Sequence, residues 1–259
     1  MLNHRRSRIP RVDGMTIDGT PVELAMLTIG SGGVAIDVAE PSVSTETIPG
    51  MPGTTDVTIE DDTGAAYPGD RTITVNLIAI GGEDDINAAK QWLGALNGRT
   101  TSIAWRGLPG EYRGRLAIGA WTDAWAYDRQ THSKTDITLT AGPYLHGRRT
   151  SRTLTAGANT IAVKGNRPCW PSITLTPASG AKTASITDAR GRKIAITAAA
   201  TLTGTITIAT DPHNRETRIN GNLTTPTLDS DYFPLLPGAN KLTLAGCTGS
   251  IEWEPNTLI

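Results

Sequence analysis

Four histidines are the first residues to test for chemistry. His4, His132, His146 and His213 are scattered through turns and links, and no two share an element at metal-ligand spacing. In Asp211-Pro212-His213-Asn214 an aspartate stands beside a histidine, as in a general base and its orienter. Residues this close in a turn do not reach that oriented geometry, so the segment reads as a plain turn. Glu60-Asp61-Asp62 suggests a cation site but lacks the ligand spacing of a calcium loop, and is expected as a solvated loop. Gly30-Ser31-Gly32-Gly33 resembles a phosphate loop in composition, with the wrong spacing and no helix behind it to aim amides at an anion. There is no G-x-S-x-G elbow and no Cys-His arrangement, and the acidic residues are spread along loops without bracketing a cleft. Neither catalytic, cofactor-binding nor metal-binding residues are assigned, and the chain reads as a non-enzyme.

What remains is a recognition surface. Trp121, Asp123, Trp125 and Tyr127 fall at period two within a stretch that reads as strand. Such a stripe is either a platform for stacking sugars or a sheet face covered by the core or by a neighbouring subunit. The second is preferred, because aromatic faces concentrate in cores and interfaces. Trp121, Trp125 and Tyr127 are therefore the candidate interface or glycan-facing aromatics. Cys169 and Cys247 are too few for a disulfide framework and lie among apolar residues, so they are expected as buried free thiols of a protein folded in a reducing cytoplasm.

At 259 residues the chain has room for one large domain or two modest ones. A net charge of -1 gives no global pull on nucleic acid or on an anionic membrane. The basic run His4-Arg5-Arg6-Ser7-Arg8 reads as a solvated terminal arm, with an arm that reaches an acidic neighbour as the functional alternative. No apolar core of a secretory signal follows it, and no run approaches a membrane span.

Only the first half carries a helix pattern. Asp13-Gly14 and Asp18-Gly19 are hairpin dipeptides around short apolar pieces. The glycine-rich break precedes Val34–Val38, and 47–70 is a loop rich in Pro-Gly pairs, with a strand expected only at 56–60. Over 71–80, Ile73, Val75, Leu77 and Ala79 alternate with polar residues as in a half-buried strand. Glu83-Asp84-Asp85 then opens a helix over about 83–97, with Ile86, Ala89, Leu93 and Leu96 on one side and Gly98 as a left-handed cap. That side must bury, and a sheet is the available partner. Strands follow at 101–105, 112–127 and 134–141. Beyond His146-Gly147-Arg148-Arg149 the composition turns threonine-rich, with nine short strand candidates separated by turn signals, the pattern of a β-sandwich or barrel. Gly165-Asn166-Arg167-Pro168-Cys169-Trp170-Pro171 reads as an internal corner of it, with Trp170 plugging the core and the prolines setting a bend.

The second half resembles the C-terminal domain of siphophage distal tail proteins. The resemblance runs through Ala158-Asn159-Thr160-Ile161, Gly165-Asn166-Arg167-Pro168 with Trp170-Pro171-Ser172-Ile173, Ile206-Thr207-Ile208 with Asp211 and Arg215, Ile219-Asn220-Gly221, Leu236-Pro237-Gly238-Ala239-Asn240, and Ile251-Glu252-Trp253-Glu254-Pro255. Tyr67-Pro68-Gly69-Asp70-Arg71 and Asn97-Gly98 extend it to that family's N-terminal domain. It implies a mainly β chain: a tail-tube-like, ring-forming domain over 1–148 with one helix, then a galectin-like β-sandwich over 149–259. It implies a structural hub at the end of the tail tube, assembled in the host cytoplasm and carried in the virion, with no cofactor. The implied partners are five more copies in a hexameric ring, the tail tube protein, the tail tip protein and the tape measure protein, without specific nucleic-acid binding or membrane insertion. The alternative function is a carbohydrate-binding β-sandwich used in adsorption to host glycan. The 47–70 loop has no assigned place in this picture.

Overall fold

A computed structural model describes residues 14–259. The basic run His4–Arg8 and Asp13 lie outside the described residues. The chain divides into two units, one containing Ala66–Leu145 and the residues before Glu60, the other Glu60–Ala65 and His146–Ile259.

The first unit is a large antiparallel sheet with a helix against it, together with a separate two-stranded sheet. Its strands are β1 (Met15–Ile17), β2 (Thr20–Pro21), β3 (Leu27–Ile36), β4 (Thr45–Glu46), β5 (Thr55–Asp56), β6 (Arg71–Ile80), β7 (Thr100–Trp105), β8 (Gly110–Ile118), β9 (Thr122–Ala126) and β10 (Arg129–Ala141), with α1 (Glu83–Gly94) between β6 and β7. The sheet runs β2-β1-β7-β8-β10-β6-β3. β10 is long enough to pair along β6, and to share its other edge between β9 and β8. Ile73, Val75, Leu77 and Ala79 of β6 are fully buried, and they join Ile86, Ala89 and Leu93 of α1 in one core. The alternation of period two and the stripe of period 3.6 thus meet face to face. Asp85 reaches back to accept a 3.0 Å hydrogen bond from the Gly82 amide, satisfying one donor at the helix start.

Three expectations change here. The helix ends at Gly94, not near 97, because the amides of Leu96 and Asn97 turn to carbonyls three residues back before Gly98 takes φ 76°. The glycine run is no break between strands: it lies inside β3, where the register with β6 shifts between Ile29 and Val34. A Cβ on Gly30 or Gly32 would collide with the Asn76 side chain, so glycine lets the bulge lie close on β6. Finally, 47–70 is mostly loop, as expected, but the strand expected at 56–60 does not form: only Thr55–Asp56 is strand, β5, paired with β4. The ends are zipped by Ser42 N to Tyr67 O (2.8 Å) and Gly69 N to Glu40 O (2.8 Å).

The second unit is a sandwich. β11 (Leu145–Gly147) leads to β12 (Thr150–Leu154), β13 (Gly157–Val163), β14 (Ser172–Pro177), β15 (Thr183–Asp188), β16 (Lys193–Thr197), β17 (Ile206–Ala209), β18 (Glu216–Ile219), β19 (Asn222–Thr224), β20 (Gly238–Ala245), β21 (Cys247–Trp253) and β22 (Asn256–Thr257), which returns to β11. One sheet runs β12-β21-β14-β17-β18-β19 and the other β13-β20-β15-β16. Ile173, Leu175, Ile206, Ile208 and Ile251 of the first share a core with Ile161, Ile186, Ile194, Leu242 and Leu244 of the second. β19 was missing from the sequence reading although Asn220-Gly221 announces it: their φ values of 50° and 82° make the two-residue hairpin turn that joins β18 to β19. The 165–171 corner also differs from expectation. Cys169 is the residue that enters the core, bonded through its backbone to Leu235 in both directions, and Trp170 stays half-buried at the edge.

Candidate functional site

The structure separates the aromatics that the sequence aligns. Trp121 lies between β8 and β9 and packs against the first unit's core, with the Lys90 ammonium 5.6 Å from its ring centroid. Trp125 projects from β9 at 60% exposure. Tyr127 has left the strand: it sits in the β9–β10 turn at φ 55° and is fully exposed. Asp123, on the same side of β9 as Trp125, is occupied by Lys90 (2.6 Å) and by the Ser133 hydroxyl. The Lys90 bond, followed by that from Ser133, holds its carboxyl below the usual aspartate range. The period-two stripe therefore becomes one core-packed tryptophan and an exposed Trp125–Tyr127 tip.

The acidic cluster of 60–62 is not a solvated loop. Asp61 is 8% exposed. Its Oδ1 accepts from the Thr63 amide (2.8 Å), the Thr63 hydroxyl and the Ala65 amide (3.2 Å), while Oδ2 faces Arg167 at 3.4 Å. Asp62 binds Arg192 at 2.6 Å, and its carbonyl accepts from Arg190 (2.9 Å). Arg192 in turn donates from Nε to Asp188 (2.8 Å) and lies 5.7 Å over the Phe233 ring. Burial alone would raise the Asp61 pKa, but the Thr63 and Ala65 bonds and the Arg167 charge outweigh it and hold it low. Burial likewise opposes the charge on Arg192, and Asp62 with Asp188 overcomes it. This cluster is internally satisfied and offers no free base. The sequence singled out its acids but not its arginines, which stand more than a hundred positions away.

Among the described residues nothing else gathers into a catalytic centre. His213 uses its backbone amide, not its ring, to bond Asp211 (2.9 Å). Among the described residues no three His, Cys, Asp or Glu side chains cluster to hold a metal ion, and no helix is long and apolar enough to cross a membrane. Cys169 and Cys247 are free and buried. Burial pushes the Cys169 thiol up to about 12, and pushes Cys247 up against the opposing bond to the Ser185 carbonyl. Both thiols are expected to resist Ellman's reagent at pH 8 in the native protein and to react fully in denaturant. Rapid native labelling would contradict the buried placement.

Over this fold the chain superposes on the crystal structure of the SPP1 Dit protein, described as a hub of the adsorption apparatus in phages that infect Gram-positive hosts. The TM-score is 0.68 at 18% identity, covering 94% of this chain and 98% of that one. Residues 164–256 match the family model of the siphovirus-type tail component, C-terminal domain. The chain has the fold of that Dit protein. Two baseplate structures of phage p2, in activated conformations with strontium and with calcium, align at 10% identity with TM-scores of 0.44 and 0.38, covering 93% and 88% of this chain and 97% and 91% of theirs. At those scores no correspondence is drawn from them. No curated protein matches the chain. The matched segment starts at Lys164, beside the internal corner of the sandwich, whereas the fold likeness to the SPP1 protein extends over 94% of the chain. The SPP1 comparison shows the fold, and the segment match is confined to the sandwich.

Proposed function

We propose that this protein is a structural hub at the distal end of a siphophage tail, forming a hexameric ring that joins the tail tube above to the tip below. The observation that carries this is the distal-tail fold over nearly the whole chain, combined with the tail-component match on 164–256. The ring is the role of the first unit. Its edge strand β3 is ten residues long, and the β4–β5 excursion exposes Val43, Met51, Val57 and Ile59. Long open edges and exposed apolar side chains favour coverage by neighbouring copies, since left bare they pair without control. Tube, tip and tape measure proteins are the further partners, and the virion is the site of action. The satisfied ion pairs of the acidic cluster fit a scaffold.

Mass measurement in solution and negative-stain imaging of the purified protein test this. Rings of six are expected, and a strict monomer at every concentration would count against a self-assembling ring. The exposed Trp125 and Tyr127 favour one second reading, contact with host glycan. A glycan array probed with the full chain separates the two: binding that is lost in a Trp125→Ala, Tyr127→Ala double variant supports the glycan role, and no binding leaves the tip as a subunit contact.

A further inference from the structure

The sandwich holds one arginine in place without giving it an anion. β14, β17 and β18 are neighbours, and the register sets Ser172 opposite Ala209 and Ala209 opposite Glu216. One step beyond the ends of these strands lie Trp170-Pro171, Thr210 and Arg215. Thr210 fastens this end of the sheet by donating its hydroxyl to the Pro171 carbonyl at 2.6 Å. The Arg215 guanidinium carbon lies 5.5 Å from the Trp170 ring centroid and 5.6 Å from that of Tyr232. Tyr232 is itself fixed, packed on the core with its hydroxyl 2.8 Å from the Thr217 hydroxyl. Two cation–π contacts thus restrain a side chain that is otherwise costly to order.

Several other arginines of the sandwich already have a carboxylate. Arg149, Arg167, Arg190, Arg192 and Arg218 each lie within 4 Å of a carboxylate. Glu216 is held by Arg218 at 2.9 Å, and Asp211 accepts the His213 amide. Among the described residues no carboxylate stands within 4 Å of the Arg215 guanidinium, and the side chain is exposed. Its donors are pre-positioned and unspent.

Resting on the hub reading, we infer that Arg215, held against Trp170 and Tyr232, anchors a docking site for an acidic side chain of a different protein of the tail. Charge complementarity selects a carboxylate, and the guanidinium presents the fork that binds it through two bonds. The residue types select a protein surface: tryptophan, tyrosine and arginine are the side chains that carry most of the energy of protein contacts.

The test uses tails carrying an Arg215→Lys variant, which keeps the charge and supplies an amine. A carbodiimide activates carboxylates, and an amine in contact displaces the urea to form an amide bond. Mass spectrometry is expected to find the introduced lysine joined to an aspartate or glutamate of another tail protein, a link that wild-type tails cannot form at this position. A charge reversal, Arg215→Glu, is expected to lower the titre of infectious particles at least about tenfold at unchanged levels of folded protein, the loss of one desolvated charge pair. The inference is overturned if the lysine links only within its own chain type, or to nothing while other links form, or if the charge-reversed tails infect as wild type. Failure to find the protein in tails at all removes the hub reading, and the docking site with it.

Discussion

An Asp61→Ala variant is expected to lose about 3 kcal/mol of folding stability in the second unit. The carboxylate satisfies the amides of Thr63 and Ala65 and the Thr63 hydroxyl, and faces an Arg167 side chain that is 20% exposed. Alanine leaves these donors and that charge without their partner in a site too buried for water to replace it fully. Asp61→Asn keeps one acceptor and loses the charge, so it is expected to cost less. Amide hydrogen exchange across β14 and β21 gives the measurement, and a change under about 0.5 kcal/mol, the size of an ordinary surface substitution, would refute the buried network. The pH dependence has a definite sign. The folded pKa of Asp61 lies below its unfolded value, so its contribution is complete above the ordinary carboxylate range and fades as pH falls through the lower, folded value. The advantage of wild type over Asp61→Asn should therefore shrink in acid.

Leu77→Ala in β6 is expected to cost about 2–5 kcal/mol in the first unit. Leu77 is fully buried in the cluster that joins β6 to α1, and truncation leaves a cavity between a sheet and a helix that are both pinned elsewhere. Thr74→Ala, on the opposite face of the same strand, should change stability by no more than about 0.5 kcal/mol. Denaturant unfolding of the two variants side by side decides it. Equal losses would mean that the face of β6 has been misassigned.

The contrast between these two sites also shows what a sequence makes legible. β6 and α1 could be read directly because each writes its burial as a period along its own chain. The threonine-rich strands of the sandwich were legible for the same reason, down to most of their ends. Asp61 was misread because nothing near it in the chain shows that Arg167 waits more than a hundred residues on. The aromatic stripe failed through backbone geometry: period two holds only while the strand continues, and Tyr127 adopts φ 55° where β9 stops. The glycine run failed in the opposite sense, since a bulge lets one strand pass through a segment that composition marks as a break. Trp170 is the core plug expected from the sequence, whereas the backbone bridge between Cys169 and Leu235 places Cys169 in the core instead. The family resemblance depended on none of these details, because it rests on the order of many weak pieces.

The six residues Glu60–Ala65 belong to the second unit although they are encoded between β5 and β6 of the first. Natural recombination or laboratory grafting that cuts once, near His146, would carry away Arg167, Arg190 and Arg192 and leave Asp61 and Asp62 behind. The sandwich is thus not a cassette with a single junction. A chimaera that exchanges it must transplant the short excursion as well, or choose a donor whose sandwich carries its own counter-ions at those three arginines.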